Sequence, residues 1–287
     1  MSYKLITDST MDMSKKMADE LSVDVLPLMF TIDGEEYKDN FGADMDPHIF
    51  YEKVRAGLMP TTTLINTDRF LVHFRSYLER GIDIVYIAFS SVLSGTYQCA
   101  MQAAQQLREE FPERSLYVVD SMCASMGEGL FVWQAAKLRD GGMGAAELAD
   151  WLEKNKLRVV HWFTVDDINH LRRGGRLSAA QALLGTLMQI KPVLHLDNEG
   201  RLVPMEKVLG RKKSLATIVE RLAERYDGSV KTVFVSHGDV PEEARAVEAM
   251  IKEKLPGVEV YTHTVGPVVG AHSGPGTMAV FCFGKSR

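Results

Sequence analysis

The chain has 287 residues, 46% apolar and 25% charged, with a net charge of −5. That is room for two domains of ordinary size and an ordinary soluble composition. It excludes the basic footprint of a nucleic-acid or anionic-membrane binder, and no run approaches the roughly 18 apolar residues of a membrane span. The cysteines Cys99, Cys123 and Cys282 are odd in number and lack metal-ligand spacing, which fits reduced thiols in a cytoplasm. The N-terminus shows no leader-like basic and apolar segment. Fifteen methionines are an excess, and Met is the flexible filler of cores and adaptable apolar sites.

In chain order, Tyr3–Thr7 reads as a strand ending in Asp8-Ser9-Thr10, followed by Met13, Met17 and Leu21 at helical spacing. Val23–Ile32 reads as one strand with a turn at Asp33-Gly34. Asp46 before Pro47 is a helix start. Gly57 to Pro60 ends that helix, Thr61-Thr62-Thr63 reads as a polar loop, and Thr67 as the cap of the next helix. Ile82–Phe89 is an apolar strand that runs into Ser90 to Gln98, where a turn opens a helix carrying Tyr97, Ala100, Ala104 and Leu107. Leu116–Val119 ends in Asp120-Ser121, and Ser125 to Gly129 lead into another helix, with a further one over Ala145 to Glu153. Strands alternating with helices at these spacings predict an α/β fold, a mostly parallel sheet flanked by helices.

The second half changes rhythm. Val159–Val165 is a strand, and a short helix follows that ends at Gly174-Gly175 among Arg172, Arg173 and Arg176. A small apolar helix over Ala179–Met188 is followed by a hairpin around Asp197 to Gly200. Helix, strand, helix and strand then occupy Ser214–Tyr226, Lys231–Ser236, Pro241–Leu255 and Val258–Thr264. A glycine-rich loop, Gly266 to Gly276, precedes a last strand at Thr277–Phe283. The division expected is an α/β domain over 1–155 and a smaller mixed α/β domain over 156–287.

Three strand exits rich in hydroxyls and carboxylates would share the carboxyl edge of a parallel sheet, where ligands bind. Ser94 caps a helix start, where unpaired N–H groups and the dipole favour an anion, and Gly95 leaves room for close approach. A serine hydrolase using Ser94 and His272 is the rival reading, although Val92 stands where the nucleophile elbow has Gly and no acidic orienter is evident. Zinc spacing and the phosphate-loop glycine pattern are both missing, so neither metal nor cofactor is expected.

The motifs Asp8-Ser9-Thr10, Ser94-Gly95-Thr96-Tyr97, Leu171 to Ser178, Ile190-Lys191-Pro192, Arg211-Lys212-Lys213 and Gly266 to Gly276 together resemble the DegV family of bacterial fatty-acid-binding proteins, nearly end to end. The resemblance implies two α/β domains with a long-chain fatty acid between them and no catalytic residue of the chain's own. It implies that Thr62, Ser94 and His272 hold the carboxylate, with Gly95 allowing approach. Thr61, Thr63, Ser125, Ala271 and Arg173 are further head-group or rim candidates, Arg173 facing a partner. That partner would be a separate ATP-binding kinase subunit that phosphorylates the presented acid. The tail would need an apolar slot suited to Met. Two departures stand out: the family's Thr-Ser-Gln-Pro is Thr62-Thr63-Leu64-Ile65 here, and Leu209 stands where many members have Arg.

Overall fold

The computed structural model describes residues 3–178 and 189–287. The expected helix over Ala179–Met188 lies outside the described residues. The first half runs β1 (Tyr3–Asp8), α1 (Lys15–Glu20), β2 (Asp24–Leu26), β3 (Met29–Ile32), β4 (Glu35–Lys38), α2 (Pro47–Arg55), β5 (Thr61–Thr63) and α3 (Thr67–Leu78). It continues through β6 (Asp83–Ala88), α4 (Thr96–Glu110), β7 (Leu116–Asp120), α5 (Met126–Asp140) and α6 (Ala145–Asn155). Beyond it lie β8 (Val159–Thr164), α7 (Asn169–Arg173), β9 (Ile190–Leu196), β10 (Leu202–Leu209), α8 (Arg211–Arg225) and β11 (Thr232–His237). α9 (Pro241–Lys254), β12 (Glu259–Thr264), α10 (Pro267–Ser273) and β13 (Met278–Phe283) complete the chain.

β1 buries both of its faces. Leu5 joins one apolar core and Ile6 another, as the period of two along a strand requires. It is a central strand of an all-parallel sheet in the order β2-β1-β6-β7. Ile84 and Tyr86 on one face of β6 pack with Phe70, Phe74, Ala100 and Ala104 of α3 and α4. Val85 and Ile87 on the other face pack with α5. The later sheet has six strands in the order β10-β9-β8-β13-β11-β12 and is antiparallel except for β11 with β12. Val160, Val233 and Val280 on its outer face pack on α8 and α9.

Helix α5 lies between the two sheets. It is apolar nearly all round, with Leu130, Phe131, Val132, Ala135 and Ala136 fully buried, as a helix covered on every side must be. One continuous core therefore includes Leu5 and Val85 of the first sheet and Phe163, Phe234 and Phe281 of the second. The hairpin turn between β9 and β10 locks the halves further, since Ser90 Oγ donates to Gly200 O at 3.0 Å. Gly200 has φ of 78°, and a Cβ there would collide with Ser90 Oγ, so no other residue fits that turn comfortably.

Four sequence expectations need correction. Val23–Ile32 is split at Pro27-Leu28, because proline cannot donate to a ladder and the chain there leaves the parallel sheet for another. Thr61-Thr62-Thr63 is a strand, paired antiparallel to β3 in a three-stranded sheet ordered β4-β3-β5. The cap of α3 is Asn66, whose side chain accepts from Arg69 N, one residue before the expected Thr67. The glycine-rich stretch is α10 over most of its length, started by Pro267 at the first helical position and ended at Gly274.

Candidate functional site

The carboxyl ends of β1, β6 and β7 meet at one cavity of about 180 Å³. Thr10, Phe89, Leu93, Ser94, Gly95, Ala124 and Ser125 line it from the first half; His161, Phe163, Leu171, Leu196, Ala279 and Phe281 are among those lining it from the second. Most of the lining is apolar, with Leu28, Leu64, Leu202, Val265, Val268 and Val269 completing long stretches of wall. Not one methionine is among the described lining residues. Met11, Met13, Met45, Met126 and Met278 fill the core.

A polar wall of Thr62, Ser94, Arg176 and His272 closes part of this cavity. Thr62 Oγ1 lies 2.8 Å from His272 Nε2, and Arg176 Nη1 lies 3.4 Å from His272 Nδ1. A guanidinium can only donate, so Nδ1 accepts and the ring proton sits on Nε2, donated to Thr62. Burial and the neighbouring Arg176 push His272 down to about 4, so the ring is neutral at pH 7. Having accepted from His272, the Thr62 hydroxyl is free to donate its own proton to an anion. The cap position of α4 is Gly95, one residue after the expected Ser94; Ser94 Oγ accepts from Thr96 N at 3.2 Å and lies 2.9 Å from Thr96 Oγ1, so it keeps a proton available when Thr96 donates to it.

Backbone alternation selects Thr62 among the three threonines. Thr62 faces the cavity, whereas Thr61 and Thr63 point to the other side of β5 and are exposed. Thr61 instead lines an outer cavity of about 340 Å³, together with Ala271, Arg173 and His170. Thr62, Arg176 and His272 belong to both cavities and form the partition between them. Thr63 lines neither. Gly95 lines the inner cavity, but a Cβ there would meet Leu64 Cδ2 at 3.1 Å, so its openness admits Leu64. Ser125, at φ of 52°, lines the cavity with its hydroxyl already given to Asp12 Oδ2 at 2.5 Å.

Arg176 was not singled out among its neighbouring arginines, and the backbone explains why it matters. α7 ends with Gly174 N bonded to His170 O and Arg176 N to Leu171 O, while Gly175 takes φ of 72°. This left-handed termination turns the chain back so that Arg176 points inward and Arg172 and Arg173 outward. Arg176 is anchored through Nε to Leu93 O at 3.0 Å and through Nη1 to Gly174 O at 2.5 Å. Among the described residues no carboxylate forms an ion pair with it, and burial lowers its pKa. Gly174 is also a close-approach glycine, since a Cβ there would collide with His272 Nδ1.

A nucleophilic triad would need Ser94 bonded to His272 and an acid behind the ring. Here Ser94 bonds within its own turn, and a guanidinium occupies the place of the acid. A separate group on the surface, His48, Glu52 and Asp239, brings three potential metal-ligand atoms within 4.8 Å of one another. Arg55 Nη1 already sits 2.5 Å from Asp239 Oδ2 there, which answers the charge with a cation.

A family model described as an uncharacterised protein of the DegV family matches residues 2–285. The chain belongs to the DegV family. A DegV domain-containing protein of Clostridium perfringens is 40% identical over 99% of this chain and 98% of its own length. DegV of Bacillus subtilis, described as a fatty acid binding protein, is 32% identical, with a TM-score of 0.84 over 99% of both chains. A Thermus thermophilus DegV family protein, whose structure is described as showing fatty acid binding, is also 32% identical, with a TM-score of 0.86 over 99% of this chain and 100% of that one. The DegV fold thus extends over the full chain, and solved members of the family bind fatty acids. Leu209, the departure noted at the family's arginine position, is 67% exposed at the end of β10.

Proposed function

We propose that this DegV protein binds a long-chain fatty acid, tail in the inner cavity and carboxylate against Thr62, Ser94, His272 and Arg176. The observation that carries the reading is the cavity itself: extended apolar walls and one partition that combines two hydroxyls, a neutral imidazole and a guanidinium that pairs with no carboxylate among the described residues. A carboxylate supplies that anion, and charge-assisted hydrogen bonds of this kind are the strong ones. The tail would contribute roughly 0.8 kcal/mol per buried CH₂, so it carries most of the affinity. Denaturing mass spectrometry of protein purified from cells should reveal a co-purifying fatty acid. Protein that carries no acyl acid and takes none up on incubation would sink the reading. Affinity should also fall by roughly 15-fold for each two carbons removed from a chain that fits the cavity.

The same reading includes presentation of the acid to a separate ATP-binding kinase subunit. In support, the partition lies between the inner cavity and an outer one bordered by His170, Arg173 and Arg176, a positive entrance for a phosphoryl group. Arg173 is exposed and lies 3.2 Å from His170 Nδ1 through Nη2, with no role in the inner cavity. Arg173→Glu is therefore expected to cut acyl phosphate formation by such a partner at least tenfold while fatty-acid affinity stays within twofold. Equal loss of both would place Arg173 in the binding site instead.

A further inference from the structure

A cavity of about 290 Å³ lies between the loop after β1, the segment after β4 and the start of α10, and shares no lining residue with the two cavities above. Its floor holds two carboxylates, Asp12 and Asp39, which are 4% and 6% exposed. Both converge on one α-carbon: a Cβ on Gly266 would lie 2.9 Å from Asp12 Oδ1 and 3.2 Å from each Asp39 oxygen. Asp12 Oδ1 accepts from Gly266 N at 2.9 Å, and its Oδ2 accepts from Ser125. Among the described residues Asp39 Oδ2 is buried without a hydrogen-bond partner. Among the described residues no Lys, Arg or His forms an ion pair with either acid. Of the basic groups beside the cavity, His48 and Arg55 are bonded to Asp239, and His263 Nδ1 lies 3.1 Å from Thr264 O.

An isolated carboxylate out of water is costly, so buried acids are paired, coordinate a metal or keep their proton. Among the described residues, two acids facing one roomy cavity with an unused oxygen lack such a partner, and Asp46 at the rim adds negative potential. We propose that Asp12 and Asp39 bind one divalent cation of the hard, oxygen-seeking class, such as Mg²⁺, Ca²⁺ or Mn²⁺. The space beside them accommodates the water ligands such ions retain. The ion would also hold Asp12 in place, and with it the Ser125 hydroxyl on the wall of the inner cavity.

The test needs no lipid and so stands or falls apart from the fatty-acid reading. Chelator-stripped full-length protein at pH 8 is titrated with Mn²⁺, free Mn²⁺ being read by electron paramagnetic resonance, with Ca²⁺ and Mg²⁺ as competitors. The expected result is one saturable site per chain, weakened at least tenfold by Asp39→Asn and by Asp12→Asn. The double variant His48→Ala, Glu52→Gln should bind as the parent does. Mn²⁺ should raise the melting temperature of the parent and leave that of a folded Asp39→Asn unchanged. No saturable site in the parent, or full-strength binding in folded Asp39→Asn, would overturn the proposal. Loss of binding in the His48/Glu52 double variant would overturn it too, by placing the ion on the exposed cluster.

Discussion

Glu128→Gln should be about as stable as the parent near pH 5 and progressively more stable as pH rises, whereas Glu128→Ala should lose roughly 3 kcal/mol throughout the acid range. Glu128 sits in α5, fully buried between the sheets. Its Oε1 lies 2.9 Å from Thr7 Oγ1 and its Oε2 2.9 Å from Thr10 Oγ1. Each of these hydroxyls has one proton and a second acceptor in reach. Thr7 lies 2.9 Å from Ile87 O, and Thr10 lies 2.5 Å from Asp8 Oδ1. Two hydroxyl protons cannot satisfy four contacts, so the network needs a proton on Glu128, and one on Asp8 completes it. Burial pushes Glu128 well above the usual carboxylate range, and Asp8 beside it adds to the shift.

The sign of the pH effect follows from this. A carboxyl whose folded pKa is raised keeps its proton in the fold after the unfolded chain has lost one, so stability declines as pH climbs from the unfolded value toward the folded one. The slope is about 1.4 kcal/mol per pH unit for one group. Gln cannot titrate, can donate to Thr7 through its NH₂ and can accept from Thr10 through its oxygen. The difference between Glu128→Gln and parent in urea unfolding should therefore grow at about that slope above pH 5, for as long as folded Glu128 remains protonated. A difference that does not change with pH would mean that Glu128 is ionised in the fold, and the proton count above would be wrong.

The network also marks the limits of sequence reading. The strand exits Asp8-Ser9-Thr10, Ser90-Ser91 leading to Ser94, and Asp120-Ser121 were legible as one rim because a parallel sheet gathers carboxyl ends on one edge; Thr10 and Ser94 do line one cavity, whereas Asp120 and Ser121 do not. Their separate tasks were not legible. Asp8 binds Thr10 and Tyr86, and Asp120 binds the N–H groups of Ser91 and Met122, so both knit loops behind the cavity. The strand at Thr61–Thr63 was hidden because an isolated three-residue pairing depends on its partner β3, far away in sequence. The helix α10 was hidden by glycines that are there for close packing: a Cβ on Gly270 would press on Tyr51 Oη and Phe50. Arg176 could have been found from the Gly174-Gly175 termination, since a left-handed helix stop reverses the direction of the next side chain.

Arg176→Leu should weaken fatty-acid binding roughly 10- to 100-fold, the value of a hydrogen bond or close pairing to a charged group of about 1.5–3 kcal/mol. The corresponding fatty alcohol should bind the variant and the parent within about threefold, because it offers no charge for the guanidinium to meet. The argument rests on how Arg176 is held. Bonds to Leu93 O and Gly174 O prevent it from swinging to water, so in the absence of an anion its charge stays half-buried and unpaired. Burial chiefly, and that same charge in addition, keep His272 neutral, and the contact of Arg176 with Nδ1 leaves the ring proton on Nε2 toward Thr62 and the threonine as a donor. Arg176 therefore acts twice, once on the carboxylate and once through the ring. Leu removes both effects, while Lys would restore the charge without the two carbonyl anchors and should recover part of the affinity. Thr62→Val, which deletes a single neutral donor, should cost only about 1 kcal/mol. Titration calorimetry with the acid and the alcohol separates these outcomes. Parallel losses for both ligands in Arg176→Leu would show that the residue shapes the cavity without recognising the head group.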